Sequence, residues 1–348
     1  MLQWPVPFAD GVPLLLAERG RRVVVLASGD PFWFGAGRSL AQELGRAEWV
    51  ACPTLSTFSL AAARLGWAVQ DMACVPLHAA PVTRLRPDLA PGRRMVALLR
   101  DGAAVGEVAA YLRDQGFGAS TLHLLEALGG PRERVRVVRA DSPMPDDIAH
   151  PVAIGIDCAG EGRVLSCASG IADEWFDHDG QISKRPVRAL TLSALAPRPG
   201  ELLWDIGAGS GSIGIEWLLA HPANRVVALE GDPVRATRIK VNATALGVDR
   251  IDVLTGRAPD LLPHGVPDAV FIGGGLSEAL LEALWARLPV GRRLVANAVT
   301  LESEALLGRW HAAKGGHLLR IDLAQAAPIG LRRGWRASYP LVQWSVTL

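Results

Sequence analysis

A short apolar run that breaks into alternating glycines and resumes as a helix constrains this chain more than any other stretch. Leu202 to Ile206 reads as a buried strand; Gly207, Gly209 and Gly211 follow, and Ile213, Ile215, Trp217 and Leu218 then carry an amphipathic helix. Glycine tolerates φ > 0 and lets a ligand approach the backbone without meeting a Cβ. The start of the helix offers free N–H groups and a partial positive charge. Strand, glycine turn and helix in this order form a nucleotide-binding corner.

Two nucleotides compete for it. Gly209-Ser-Gly211-Ser-Ile-Gly214 satisfies G-x-G-x-x-G, the fingerprint of a pyrophosphate-binding Rossmann site and hence of a nicotinamide-dependent oxidoreductase. Asp205-Ile-Gly207-Ala208-Gly209-Ser210-Gly211, with an acid on the strand end, instead resembles motif I of the S-adenosyl-L-methionine-dependent methyltransferases. A carboxylate at Asp205 suits the α-ammonium of a methionine moiety and repels a pyrophosphate. The next strand, Arg225 to Glu230, ends in an acid that could take ribose hydroxyls in either family. A third, Ile251 to Leu254, leads to Gly256-Arg257-Ala258-Pro259, a turn suited to packing beside an adenine. A fourth, Asp268 to Ile272, runs into Gly273-Gly-Gly275. The order of these four strand–loop features favours the methyltransferase.

At 348 residues the chain is long enough for two domains. No run reaches the roughly 18 uncharged residues of a membrane span, and the stretch from Met1 to Pro7 lacks the pattern of a signal peptide. A net charge of +1 argues against nucleic acid as the main partner. Cys52, Cys74, Cys158 and Cys167 show no C-x-x-C spacing, and the histidines show no H-x-x-x-H pair, so no metal is expected. The cysteines read as buried thiols of a reducing cytoplasm. Lysine occurs only at Lys184, Lys240 and Lys314, so most basic residues are arginines, which bind carboxylates in a bidentate way. A polycarboxylate substrate would use that, and a codon bias towards arginine would also produce it.

The first half alternates strands and helices. Arg22 to Ala27 reads as a buried strand followed by the loop Ser28-Gly29-Asp30-Pro31, and Phe34 to Gly37 opens a helix to Leu44. A strand near Glu48 to Ala51 precedes Pro53-Thr-Leu-Ser56-Thr57, which caps a helix from Phe58 to Leu65. Further strands are expected at Met95–Leu99, Ser120–Leu125, Val135–Val138 and Val152–Ile156, with a helix around Val105–Asp114. This is an α/β pattern, and such sheets bind ligands at the C-terminal ends of their strands.

Three segments make a resemblance specific. Ser28 to Pro31, Pro53 to Ser56 with Ala61 to Gly66, and Leu128 to Arg134 are similar to the tetrapyrrole (corrin and porphyrin) methylase family, nearest to its carbon 5 branch. Asp179-Gly-Gln-Ile-Ser-Lys-Arg185, Asp205 to Gly211 and Phe271 to Gly275 are similar to the carbon 15 methyltransferase and decarboxylase of the same pathway, cobalamin biosynthesis. The resemblance implies an incomplete tetrapyrrole-methylase-like domain over residues 1–160, a linker over 161–180, and a Rossmann-like class I methyltransferase domain over 181–348. The family's opening strand and Gly-x-Gly-Pro-Gly loop have no counterpart in this sequence, so the N-terminus is expected to be truncated.

The resemblance further implies methylation of precorrin-6Y at carbons 5 and 15, with decarboxylation of the ring C acetate, to give precorrin-8. The carbon 15 step and the decarboxylation fall to the second domain, with S-adenosyl-L-methionine as cofactor in a cytoplasmic homo-oligomer. Its cofactor residues would be Ser183, Asp205, Gly207, Ala208, Gly209, Ser210, Gly211, Glu230, Ala258 and Gly273, with Ser28, Gly29, Asp30, Pro53 and Ser56 in the first domain. Candidates for handling substrate carboxylates are Lys184, Arg185, Arg188 and Arg257; Asn297 and Glu302, at the C-terminal end of the strand Arg293–Asn297 where substrate should lie, are further candidates for the catalytic site. The tail, Leu318 to Ala324 and Leu341 to Thr347, is expected to form an antiparallel hairpin. A single-site small-molecule methyltransferase with an inactive first module stays open, as does the NAD-dependent oxidoreductase.

Overall fold

The computed structural model describes residues 3–348; Met1 and Leu2, which open the stretch read for a signal peptide, lie outside the described residues. The chain divides into two compact units, one running to Val82 and resuming over Asp88–Arg163, the other taking Thr83–Pro87 and Val164–Leu348. Among the described residues no helix is long and apolar enough to cross a membrane.

The first unit contains α1 (Gly11–Ala17), α2 (Gly37–Glu43), α3 (Thr57–Leu65), β1 (Met72–Pro76), β2 (Arg94–Leu98), α4 (Ala103–Asp114), β3 (Thr121–Glu126), β4 (Arg134–Arg139) and β5 (Val152–Asp157). Its sheet runs β1-β2-β5-β3-β4, with β1 parallel to β2 and every other pairing antiparallel. Helix α3 starts where Ser56 accepts the Ser59 N–H at 3.1 Å and stops at Gly66, whose φ is 66°. Its Phe58, Ala61 and Ala62 pack against Val96, Leu125 and Ala153. Buried Glu126 is fully compensated: it accepts from Arg134 on the facing strand at 2.6 Å, from Arg136 at 3.0 Å and from the Ala149 N–H at 2.7 Å.

Two expectations for this unit fail, and a third, for the cysteines of both units, fails with them. Arg22–Ala27 is not a buried strand: Val24 and Leu26 are 78% and 83% exposed, and no strand among the described residues supplies a hydrogen-bonding partner. The region near Glu48–Ala51 is a 3-10 turn and extended chain rather than a strand. The cysteines are not uniformly buried, since Cys52 and Cys167 are exposed. Strand β1 was not anticipated; it is short and ends in Pro76, which suits an edge.

The second unit contains α5 (Arg185–Leu195), β6 (Leu202–Ile206), α6 (Ser212–Ala220), β7 (Arg225–Glu230), α7 (Pro233–Ala245), β8 (Ile251–Thr255), β9 (Ala269–Ile272), α8 (Glu278–Arg287), β10 (Arg293–Ala298), α9 (Leu301–Lys314), β11 (His317–Ile321), β12 (Ala324–Ile329), β13 (Arg332–Ala337) and β14 (Leu341–Thr347). Seven strands order as β11-β14-β10-β9-β6-β7-β8, parallel except for β14, which runs antiparallel to both neighbours. The tail strands β11 and β14 pair antiparallel, and between them in the chain stands a second antiparallel hairpin, β12–β13, that was not anticipated. Strand order reverses between β6 and β9, so their C-terminal ends flank the switch-point crevice. Side chains alternate along β6: Leu203 packs with Leu192, Ile213 and Trp217, while Trp204 and Ile206 pack with Leu280, Leu284 and Leu307 on the other face.

Residues 164–180 lead into this unit and are packed, with Leu165, Ile171 and Phe176 buried in its core. A buried ion pair ties them down. Arg188 on α5 bonds Glu216 on α6, and its remaining N–H groups reach Asp173 at 3.0 Å, the Ile171 carbonyl at 2.5 Å and the Ser183 carbonyl. Glu216 in turn accepts the Gly170 and Ile171 N–H groups at 2.6 and 3.1 Å. Removing one member leaves the other charge buried without its partner, which costs about 3–5 kcal/mol. Glu216→Ala is therefore expected to destabilise the chain by about that amount in denaturant unfolding. Glu216→Leu combined with Arg188→Met should recover most of the loss.

Candidate active site

The crevice beyond β6 and β9 opens into a cleft of about 1170 Å³, lined wholly by residues of the second unit. Its floor is the glycine turn. The Gly207 and Ala208 N–H groups donate to the Leu229 carbonyl at 2.8 and 3.2 Å, which locks the turn to the neighbouring strand β7. Gly207 (φ +70°) lies so close to the second glycine loop that a Cβ there would sit 2.6 Å from Gly274 Cα. Gly211 (φ +77°) begins α6 against Ile239, leaving 2.7 Å for a Cβ. Glycine at these positions is demanded by backbone contact as well as by conformation.

Glu230 closes the turn from the side. Its carboxylate accepts the Gly209 N–H at 2.7 Å and the Asp232 N–H at 2.9 Å. Asp232 then caps α7, accepting the Val234 N–H at 2.8 Å, with Pro233 in the first turn. Ser210, 2% exposed, lines the cleft with a hydroxyl that has no protein partner. Among the described residues no cluster of His, Cys, Asp and Glu could hold a metal ion.

Asp205 does not line the cleft. It sits on the α6 face of β6, wholly buried, where one carboxylate oxygen accepts the Gly214 N–H at 3.0 Å and the other has no partner. Strand alternation explains this, because Ile206, one residue on, is the side chain that reaches the cleft. Burial, with the nearby Glu230 charge adding to it, pushes the Asp205 carboxyl up to about 7.

Ser183, Lys184, Ala208, Gly209, Arg257, Ala258, Gly273 and Asn297 all line the cleft, whereas Gly211 lies behind it. Lys184 and Arg257 have no ion pair among the described residues. The other candidate residues fall elsewhere. Arg188 is spent on the buried ion pair, and Arg185 is exposed in the first turn of α5. Glu302 is exposed in the first turn of α9, where it complements the helix dipole. Thr300 caps that helix, accepting the Ser303 N–H at 3.3 Å. Sequence reasoning missed a wall built by Ile321, Leu323, Ser338, Tyr339 and Leu341 from the tail. These residues read only as strand ends and carry no motif. In the first unit, Gly29 (φ +67°) lies against the 55–57 backbone, bringing the Ser28–Asp30 and Pro53–Ser56 loops together. Asp30 accepts the Phe32 N–H at 2.8 Å, and Ser56 is spent on capping α3.

Comparison with known proteins follows the same division. Residues 12–143 match the model of the tetrapyrrole (corrin/porphyrin) methylases, and residues 174–348 match that of the precorrin methyltransferase domain. The chain is 51% identical over 349 residues to a precorrin-6Y C(5,15)-methyltransferase (decarboxylating) of Sinorhizobium sp., covering 99% of this chain and 84% of that protein. The chain belongs to the precorrin-6Y C5,15-methyltransferase (decarboxylating) family. A crystal structure of the C-terminal domain of a family member from Rhodobacter capsulatus superposes with a TM-score of 0.51 at 53% identity, covering 53% of this chain and all of that one. The chain is also similar to the cobalt-precorrin-6B C(15)-methyltransferase (decarboxylating) of Salmonella typhimurium, 33% identical over 165 residues, 46% of this chain and 85% of that protein.

Two outcomes test this geometry. Gly207→Ala places a Cβ on the Gly274 backbone at positive φ, so calorimetric titration should show nucleoside binding to the second unit weakened at least tenfold (about 1.4 kcal/mol). Asp205 binds a proton in the folded state at pH values where the unfolded chain, near the ordinary carboxylate pKa, has released it. Its contribution to stability is therefore present below about pH 4 and is lost as pH rises towards about 7. Asp205→Asn should flatten the pH dependence of unfolding across that window; an unchanged slope would place the effect in another group.

Proposed function

We propose that the cleft of the second unit binds S-adenosyl-L-methionine and carries out methylation at carbon 15 and decarboxylation of the ring C acetate of precorrin-6Y. The first unit methylates carbon 5, and the product is precorrin-8. The division of labour is supported by the carbon 15 relative, whose similarity covers 46% of this chain, and by the precorrin methyltransferase domain model, which matches residues 174–348.

The observation that carries the choice of nucleotide is the bond between Glu230 and the Gly209 N–H, 2.7 Å long. A dinucleotide site offers the N–H groups of its glycine turn to a pyrophosphate. Here a carboxylate already occupies one of them, and its charge repels a phosphate. The same carboxylate has lone pairs left for ribose hydroxyls. Ile213, Leu229 and Ala258 give apolar surface for a purine, and the unpartnered Ser210 hydroxyl offers a polar contact. These residues fit a nucleoside with a cationic tail.

When bound, the sulfonium cofactor supplies an electrophilic methyl group. The protein's part is alignment: holding a ring carbon in line and near contact provides much of the rate, and no strong base is required. Lys184 and Arg257 are placed to hold carboxylates that the substrate keeps. Ligand pockets usually span about 300–1,000 Å³, so this cleft has room for more than one small nucleoside. We also read the chain as a cytoplasmic homo-oligomer acting on a small molecule, as the resemblance implies.

Titration with S-adenosylhomocysteine and with NAD decides the cofactor: binding of the first alone is expected, and binding of NAD alone would overturn the assignment. Incubation with precorrin-6Y and methyl-labelled cofactor should then yield carbon dioxide with label at carbons 15 and 5. Label at carbon 15 alone would reduce the proposal to a single-site enzyme with an inactive first unit.

A further inference from the structure

Thr191 on α5, Asn297 on β10 and Gln343 on β14 form a closed cycle of hydrogen bonds beside the cleft. Asn297 Nδ2 donates to Thr191 Oγ1 at 3.0 Å. Gln343 Nε2 donates both to Thr191 Oγ1 at 3.0 Å and to Asn297 Oδ1 at 2.9 Å. Asn297 and Gln343 are direct partners across the antiparallel β10–β14 pairing. Thr191 and Gln343 are buried, while Asn297 is half-buried and lines the cleft. The count of donors is informative. Gln343 Nε2 spends both of its N–H groups inside the cycle. Asn297 keeps one N–H and one Oδ1 lone pair, so the cycle orients a single amide whose spare donor is available to a ligand.

The surroundings of that amide are apolar. Val187, Ile321 and Leu341 pack together with Leu323 beside them, and all four line the same cleft. Of its cations that have no ion pair among the described residues, Arg257 follows β8, and Lys184 is the N-cap of α5, seven residues before Thr191. A carboxylate that must be retained is held best by a cation. One that must depart as neutral carbon dioxide is held back by a cation, because the ion pair is stronger in the ground state than in the charge-dispersed transition state. A neutral donor in an apolar wall orients such a group without neutralising it, and excludes water from it.

We propose that Asn297 binds the acetate carboxylate that is lost, with Thr191 and Gln343 as its positioning residues and the Val187–Ile321–Leu341 wall as the surface that desolvates it. This rests on the reading that the second unit decarboxylates. The bond between the methylene and carboxyl carbons breaks, and its electron pair passes to the methylene carbon and into the conjugated ring. Carbon dioxide leaves, and a proton from water turns the methylene into a methyl group.

The full chain, supplied with precorrin-6Y and methyl-labelled cofactor, tests this through the ratio of carbon dioxide released to label at carbon 15. Asn297→Ala should lower the rate of carbon dioxide release roughly 100- to 1,000-fold, the effect of deleting one placed donor. Label at carbon 15 should fall far less than carbon dioxide release, and the Kd for S-adenosylhomocysteine should stay near the parent value. Asn297→Asp should lose more at neutral pH, where its charge opposes the substrate's, and recover as acidification restores a neutral donor. Thr191→Val should lower kcat for carbon dioxide release with KM little changed, and Thr191→Ser should restore it. A parallel fall of methyl transfer and decarboxylation in Asn297→Ala, or no fall in either, overturns the inference. Failure of the parent chain to release carbon dioxide at all overturns the functional reading on which it stands.

Discussion

The cleft of the second unit depends on the ion pair between Arg188 and Glu216. A glycine turn at a switch point makes only the floor of a site; the chain must also pass over it and stay there. Arg188 reaches the carbonyls of Ile171 and Ser183, near the two ends of a strap formed by residues 170–184, while Glu216 takes the N–H groups of Gly170 and Ile171. The strap held in this way delivers Gln181, Ile182, Ser183 and Lys184 to the cleft. Burying two charges is tolerable only when their remaining donors and acceptors are satisfied. Here backbone groups satisfy them, so the pair that is expensive to bury also dictates where the strap must lie.

Much of this unit was legible because its strands and helices obey simple periods. The four strands from Leu202 to Ile272 and the turns after them occur where the apolar runs and glycines place them. The direction of individual charges was not legible. Asp205 and Arg188 both read as ligand contacts, since each is a charged residue at the rim of a binding corner. Asp205 turns to the α6 face because its neighbour Ile206 takes the cleft face. Arg188 turns inward because Glu216, distant in sequence, lies across the helix interface. Neither fact can be read from a strand end alone. The Arg22–Ala27 run shows the converse failure: an apolar stretch signals a strand only when another strand is there to pair with it.

Asn297 illustrates an intermediate case. Its position at the end of a parallel strand marked it as a site candidate, and the structure places it in the cleft. Its partners were invisible. Thr191 falls within a helix that read as scaffold, and Gln343 within a tail strand valued only for its apolar residues. The antiparallel return of β14 beside β10 brings Gln343 opposite Asn297, a juxtaposition that depends on the register of the tail.

That return also explains how one cleft can serve two ligands. The nucleoside-like features, the glycine turn, Glu230 and Ala258, come from β6, β7 and β8 on one side of the switch point. The apolar wall and Asn297 come from β10, β11 and β14 on the other, with Val187 added from α5, which precedes β6 in the chain. A parallel sheet alone would supply the first set. The antiparallel strands added beyond β10 build the second, and a group donated from the nucleoside side can meet an acceptor held on the far side across the crevice between β6 and β9. On the proposed function, methyl transfer and decarboxylation need no separate cavities, because the topology already divides one cavity into a charged, hydrogen-bonding half and an apolar half.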